Sequence, residues 1–133
     1  MLFREILKVN TKKGVYFEDI TGRILEIAEE CAIQEGLCNI YLSATTAGLM
    51  INENDRMLLE DFRLFFEHLV NEKKPYLHPD NAVSHLRANL LDASKTIPVS
   101  NGTLVLGKWQ RIILWEFDAE DREREVIITI TGD

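Results

Sequence analysis

The stretch Lys95–Gly107, KTIPVSNGTLVLG, decides the fold. Two extended runs, Lys95 to Val99 and Thr103 to Gly107, flank Asn101-Gly102. Asn-Gly tolerates the two positive-φ positions of a tight turn whose twist matches a pair of antiparallel strands. The segment therefore predicts a hairpin, and with it an antiparallel sheet. Toward the C-terminus, Trp109 to Phe117 reads as a long strand and Asp118 to Arg124 as a charged turn. Glu125 to Thr131 alternates as a last strand.

Toward the N-terminus the period changes. Pro79 cannot sit inside a helix but can precede one, and Asp80 is a good N-cap. A helix from about Asn81 to Leu91 would bury Val83, Leu86 and Leu90 and turn Asn81, His85 and Asn89 outward. Asp55 caps a second helix, ending near Asn71, with Leu58, Phe62, Phe65 and Leu69 on one face and Phe66 beside it. Ile20, Ile24, Ile27 and Cys31 set a third at Thr21 to Glu35, with Asp19 or Thr21 as its cap. Strands are expected at Phe3–Val9, Val15–Glu18 and Leu37–Ser43, with an apolar run Leu49–Ile51 after the small turn Ala44–Gly48. The sum is one α+β domain, an antiparallel-rich sheet with about three helices segregated from it.

Bulk numbers bound the function. The chain has 133 residues, 46% hydrophobic and 28% charged, which suits one folded domain. No apolar run is long enough to span a bilayer, and MLFREILKVN lacks the order of a signal peptide, so no membrane partner and a cytoplasmic location are expected. The net charge of −7 argues against non-specific nucleic-acid binding, which rests on phosphate neutralisation. Two cysteines, Cys31 and Cys38, make neither a metal cage nor a disulfide framework, and Cys31 reads as a buried, inert thiol.

Four polar clusters could carry chemistry. "HPDNAVSHL" (His78–Leu86) holds two of the three histidines, the third, His68, reading as a surface residue. His78, Asp80 and His85 could ligate a metal, although a seven-residue histidine spacing is not a recognised zinc pattern. Asn52-Glu53-Asn54-Asp55 follows a strand and precedes a helix. Asp55 is explained by capping, and the other three suit a small polar ligand or a hydrated magnesium ion. Thr45 and Thr46, on a turn of small residues, could receive a phosphate, and a plain turn is at least as good a reading. Lys108, Trp109 and Gln110 could clamp an anion against an aromatic wall, or simply alternate across a strand.

Together, "TTAGLMINEN" (45–54), "HPDNAVSHL" (78–86), "IPVSNGTLVLGKWQ" (97–110) and the closing "VIITITGD" resemble the YjbQ family in order and spacing over nearly the whole chain. The resemblance implies a β-sandwich-like α+β domain, assembled as a homotrimer with polar pockets near the subunit contacts. It implies a secondary thiamine-phosphate synthase activity at a low level. An aminopyrimidine methyl pyrophosphate is joined to a thiazole phosphate, and pyrophosphate is released. It also implies a histidine cluster for a divalent metal, zinc or magnesium, to which His78, Asp80 and His85 would contribute. On this reading Glu53, Asp80 and His85 are the candidate catalytic residues. Thr45, Thr46, Asn52, Asn54, Lys108, Trp109 and Gln110 would bind a small phosphorylated metabolite. The chain departs from the family at Ala44, where the family carries a histidine before the two hydroxyl residues, and at Lys108, commonly Thr. The loop before Ala82 is also shorter. A three-histidine site is thereby reduced to two. A weak transferase, a non-catalytic homotrimeric metal- or ligand-binding protein, and a phosphometabolite hydrolase all remain open on these residues.

Overall fold

The computed structural model describes all residues, Met1–Asp133. In chain order the elements are β1 (Leu2–Thr11), β2 (Tyr16–Asp19), α1 (Thr21–Glu30), β3 (Gly36–Leu42), β4 (Ala47–Asn52), α2 (Arg56–Leu69), α3 (Ala82–Ala88), β5 (Ser94–Ser100), β6 (Thr103–Leu104), β7 (Arg111–Glu116) and β8 (Arg122–Gly132). They form one α+β domain with two sheets, ordered β1-β8-β3-β5-β6 and β2-β7-β4. Every ladder is antiparallel.

The hairpin at the centre of the sequence reading is present. Asn101 and Gly102 have φ of 53° and 76°, the pair of left-handed residues that a type I′ turn requires. Its second arm is shorter than expected. β6 stops at Leu104, and the chain then crosses to the second sheet. The Gln110 amide N–H donates to Gly107 O at 3.1 Å, and the Gly107 N–H donates to Gln110 Oε1 at 2.7 Å. That closed turn takes Trp109 and Gln110 out of the predicted strand, and β7 begins at Arg111.

Alternation on β7 explains the layering. Ile112 and Leu114 face the five-stranded sheet, in a core shared with Leu7, Ile40, Val126 and Ile128. Ile24 and Ile27 of α1 enter the same core. Ile113, Trp115 and Phe117 face the other way, onto Leu59 and Phe66 of α2 and Ala88 of α3. The order is thus five-stranded sheet, three-stranded sheet, then α2 and α3, with α1 packed into the core between the sheets, and a strand buried on both faces reads as a continuous apolar run.

All three helices depart from expectation in detail. α1 ends at Glu30 because Cys31 turns extended (φ −82°, ψ 156°), which lets the chain drop Ile33 fully into the core. On α2 the buried residues are Leu59 and Phe66, whereas Phe65 and Leu69 of the predicted face are exposed. Asp55 caps it as read, accepting from the Leu58 N–H at 3.0 Å. On α3 the buried residues are Ala82, Ser84, Arg87 and Ala88, and Leu86 and Leu90 are 45% and 43% exposed. Close packing selects this rotation. A Cβ on Gly48 of β4 would lie 2.7 Å from Leu91 Cβ and 3.3 Å from Ala88 O, so only the small face of α3 can lie there. Asn81 occupies the N-cap position in place of Asp80, which is exposed.

β8 begins earlier than read, since Arg122 and Arg124 pair with Thr11 and Val9. Both cysteines are buried, Cys31 as expected. No helix is long and apolar enough to cross a membrane.

Candidate functional site

α3 and the loop before it bring two of the sequence-chosen residues together. The rings of His78 and His85 lie 5.3 Å apart, edge to face. His78 Nε2 is 2.8 Å from Asn81 Oδ1, a hydrogen bond that fixes its ring at the helix entry. A groove of about 630 Å³ opens beside them, with Tyr76, Leu77 and Leu86 in its wall. On its other side His85 shares a second hollow, of about 460 Å³, with Ala44, Thr45 and Asn89. Residue 44 and His85 therefore border the same space, although β4 and α2 separate them in sequence.

The two threonines divide. Thr45 is exposed in that hollow. Thr46 is buried, donates to Asp118 Oδ2 at 3.1 Å and accepts from Arg124 Nη2 at 2.7 Å. Its hydroxyl is committed to an ionic cluster behind the turn. At the centre of that cluster Glu116 is fully buried and receives Arg124 through both carboxylate oxygens, at 2.7 and 2.5 Å. Thr11 Oγ1 also donates to Glu116 at 2.6 Å. Burial alone would raise the Asp118 carboxyl, and hydrogen bonds from Arg122, the Ala119 N–H and Thr46 outweigh it and hold it below the usual carboxylate range. A pair satisfied this fully fixes geometry, and losing one partner would strand a buried charge.

Asp80 does not join the imidazoles. It lines a separate cavity on the far side of the 75–82 segment. No three His, Cys, Asp or Glu side chains converge in a way that could hold a metal ion.

The remaining candidates lie at the opposite end of the three-stranded sheet. Ala47 pairs with Glu116 at the threonine end of β4, and Asn52 pairs with Arg111 at the other. Five residue steps separate the two ends, or roughly 17 Å at the usual rise. At the far end the Glu53 N–H donates to Asn52 Oδ1 at 2.8 Å. Asn54 Nδ2 and Arg111 Nε donate to Asp19 Oδ2 at 2.8 and 2.9 Å. Burial would raise the Asp19 carboxyl, but hydrogen bonds from Arg111, Thr21 and Asn54 outweigh it and hold its pKa at about 2. Lys108 Nζ stands 5.1 Å from the Trp109 ring centroid, and Trp109 is 64% exposed. The Gln110 carbonyl oxygen is occupied in closing its own turn.

The proposed site is thus split in one chain. His78, His85 and Thr45 stand at one end of β4, and Asn52, Glu53, Asn54, Lys108, Trp109 and Gln110 at the other. Sequence reasoning missed Asp19, Arg111, Glu116 and Arg124. Asp19 was read only as a helix cap, and Arg124 as part of a solvated turn. The available signal was the continuation of strand alternation back through Arg124 and Arg122, which places Arg124 on the inward-leaning side of β8.

Residues 5–133 match the family model described as UPF0047 protein YjbQ-like. A UPF0047 protein of Archaeoglobus fulgidus is 43% identical over 125 residues, covering 92% of this chain and 96% of the relative. The UPF0047 protein YjbQ of Escherichia coli O157:H7 is 32% identical, with both chains fully covered. Among solved structures, a YbjQ-like protein of unknown function from Sulfolobus solfataricus P2 superposes with a TM-score of 0.95 at 32% identity, covering 100% of this chain and 99% of its own. A hypothetical protein from Aeropyrum pernix K1 gives 0.92 at 33% identity, covering 98% and 99%.

Proposed function

The chain belongs to the YjbQ-like UPF0047 family, and from that premise we propose that it joins two small substrates at a low rate, in a site completed by a second copy of itself. The substrates are those the family resemblance implies, an aminopyrimidine methyl pyrophosphate and a thiazole phosphate. The observation that carries this reading is the split. Residues suited to one two-substrate reaction occupy opposite ends of β4, and each end is flanked by exposed apolar side chains. Leu77 and Leu86 flank the histidine end, while Trp109 stands at the other. Apolar groups exposed beside polar ones mark contact surfaces. A head-to-tail contact between unlike ends closes into a ring when the rotation between copies permits, and a homotrimer is such a ring.

The reaction asks little covalent work of the protein. The thiazole nitrogen lone pair forms the new C–N bond at the methylene. The C–O bond to pyrophosphate breaks, and its electron pair leaves with pyrophosphate. No proton transfer is needed for that exchange. Holding the partners in line and placing donors on the departing oxygens supply the rate. In this reading Thr45 and His85 donate to the departing group, Lys108 adds charge from the neighbouring copy, and Trp109 stacks on a ring. Asn52, Asn54 and Gln110 read ring edges, and Glu53 accepts from an amino group.

A divalent metal does not fit within one protomer. Two imidazoles are in place, Asp80 faces another cavity, and Ala44 removes the third nitrogen that would border His85. Zinc sites use three or four protein ligands, so no step is routed through a metal here. Ala44 also favours a second reading, a binding protein of the same assembly that has lost the chemistry.

Incubating the purified protein with both substrates tests the proposal. Thiamine phosphate should form slowly and in proportion to protein. His85→Ala should lower the rate by about a hundredfold, the usual scale for one positioned donor. No product at any protein concentration would leave the binding reading.

A further inference from the structure

Arg87 is the most unusual side chain in the molecule. It is 4% exposed, on the buried face of α3. A guanidinium has five N–H donors and a charge that cannot be discharged. Here Nη2 donates to Val70 O at 3.0 Å, and Nε, closed off from solvent, has no partner. The nearest carboxylate, Glu72 Oε1, is 3.7 Å from Nη2, beyond hydrogen-bonding distance, and Glu72 is itself largely exposed. A desolvated charge with one neutral hydrogen bond is costly, and native proteins supply such groups with a counter-charge.

The space for one is adjacent. A cavity of about 590 Å³ lies between the 72–84 segment and the chain leaving β7, with Arg87, Lys74, Ser84 and Asn81 in its wall. It differs from the histidine groove, from which the 75–82 segment divides it. Three acids also border it. Asp118 is taken up by Arg122 and Thr46, and Glu72 and Asp80 are exposed at the rim. None of the three neutralises Arg87 at hydrogen-bonding distance.

We propose that Arg87 anchors a binding site for the oxyanion head, phosphate or carboxylate, of a small metabolite. The head approaches the Nη1 end of the guanidinium, which is not sealed off as Nε is, in the two-pronged geometry that arginine offers. Lys74 adds a second cation and Ser84 a hydroxyl. Glu72 competes for the same guanidinium when the site is empty, because it already leans toward Nη2. The site stands whichever reaction the protein performs.

Titration calorimetry with inorganic phosphate, and with acetate as a parallel arm, tests this on the whole protein. At least one of the two should bind saturably, and the tighter one identifies the head group. Arg87→Lys should weaken that binding about tenfold or more, since lysine cannot present the paired donors. Lys74→Ala, at an exposed position that leaves the core untouched, should weaken it by a smaller factor. Glu72→Gln should strengthen it by removing the competitor. The proposal is overturned if neither anion binds saturably, or if Arg87→Lys binds like the wild type. It is equally overturned if Glu72→Gln weakens binding, for then Glu72 helps to build the pocket. Product formation is not read in this experiment. Anion binding without transfer would fail only the proposed reaction, and transfer with no Arg87-dependent binding would fail only this inference.

Discussion

Asp19 accepts from Arg111, Asn54 and the Thr21 N–H at one end of the three-stranded sheet, and those donors set its acidity. Its pKa falls from 3.8 to about 2. A carboxylate depressed in the folded state contributes stability that is fully present above its unfolded pKa and is lost as pH drops through the folded value. The shift corresponds to about 2 kcal/mol, all of it present above about pH 4 and gone below about pH 2. Asp118 is shifted the same way and adds to the effect. Thermal melts should therefore show the midpoint falling from pH 4 to pH 2, and Asp19→Asn should lower the neutral-pH midpoint and flatten that slope. An equal slope in the variant would mean that Asp19 is not held as described. Cys38 sits at the other extreme, where burial, with Cys31 beside it, pushes its thiol up to about 12 and leaves it unreactive near neutral pH. Asp19 was visible in the sequence as a possible cap, and it does accept from Thr21 N–H. Its partnership with Arg111, 92 positions away, was not visible, because that contact exists only once β2 and β7 pair.

Among the elements, all three helices were found by period; α1 buries the stripe read for it, while α2 and α3 were misoriented. α2 carries apolar residues on more than one side, so Leu58, Phe62, Phe65 and Leu69 fit a helical stripe as well as Leu59, Phe62, Phe66 and Val70 do. Only the second set puts Leu59 and Phe66 in the cluster with Trp115 and Phe117, the Phe66 ring centroid lying 5.1 and 5.0 Å from theirs. Period alone cannot choose between two overlapping stripes, whereas partner shape does. On α3 the choice rests on Gly48, whose missing side chain admits Leu91 and the Ala88 carbonyl. Gly48→Ala should force those groups back and cost about 1–3 kcal/mol, the scale of overpacking. Denaturant unfolding measures it, and a loss under a few tenths would show that α3 is not seated against β4. The strands were more legible. Alternation and the Asn101-Gly102 turn depend on neighbours in sequence, and those neighbours fix the local geometry.

For the whole molecule, sequence pattern led to an antiparallel α+β domain because each strand carries its own record of which face is buried. The site was less legible. Motifs that lie close along the chain, Thr45–Thr46 and Asn52–Asn54, are placed at opposite ends of one strand, and His85 joins only the first. Nothing in a linear pattern states that a strand will hold two functional clusters apart. On the proposed assembly two copies reunite them, the histidine end of one meeting the Trp109 end of the next. Co-expressing two variants damaged at different ends, His85→Ala and Trp109→Ala, and assaying thiamine phosphate formation by the mixed oligomers tests that claim directly. Each variant alone should be nearly inactive. Random mixing leaves intact ends facing each other at one site in four, so the mixture should recover about one quarter of the wild-type rate. A mixture no more active than its components would contradict a site shared between copies.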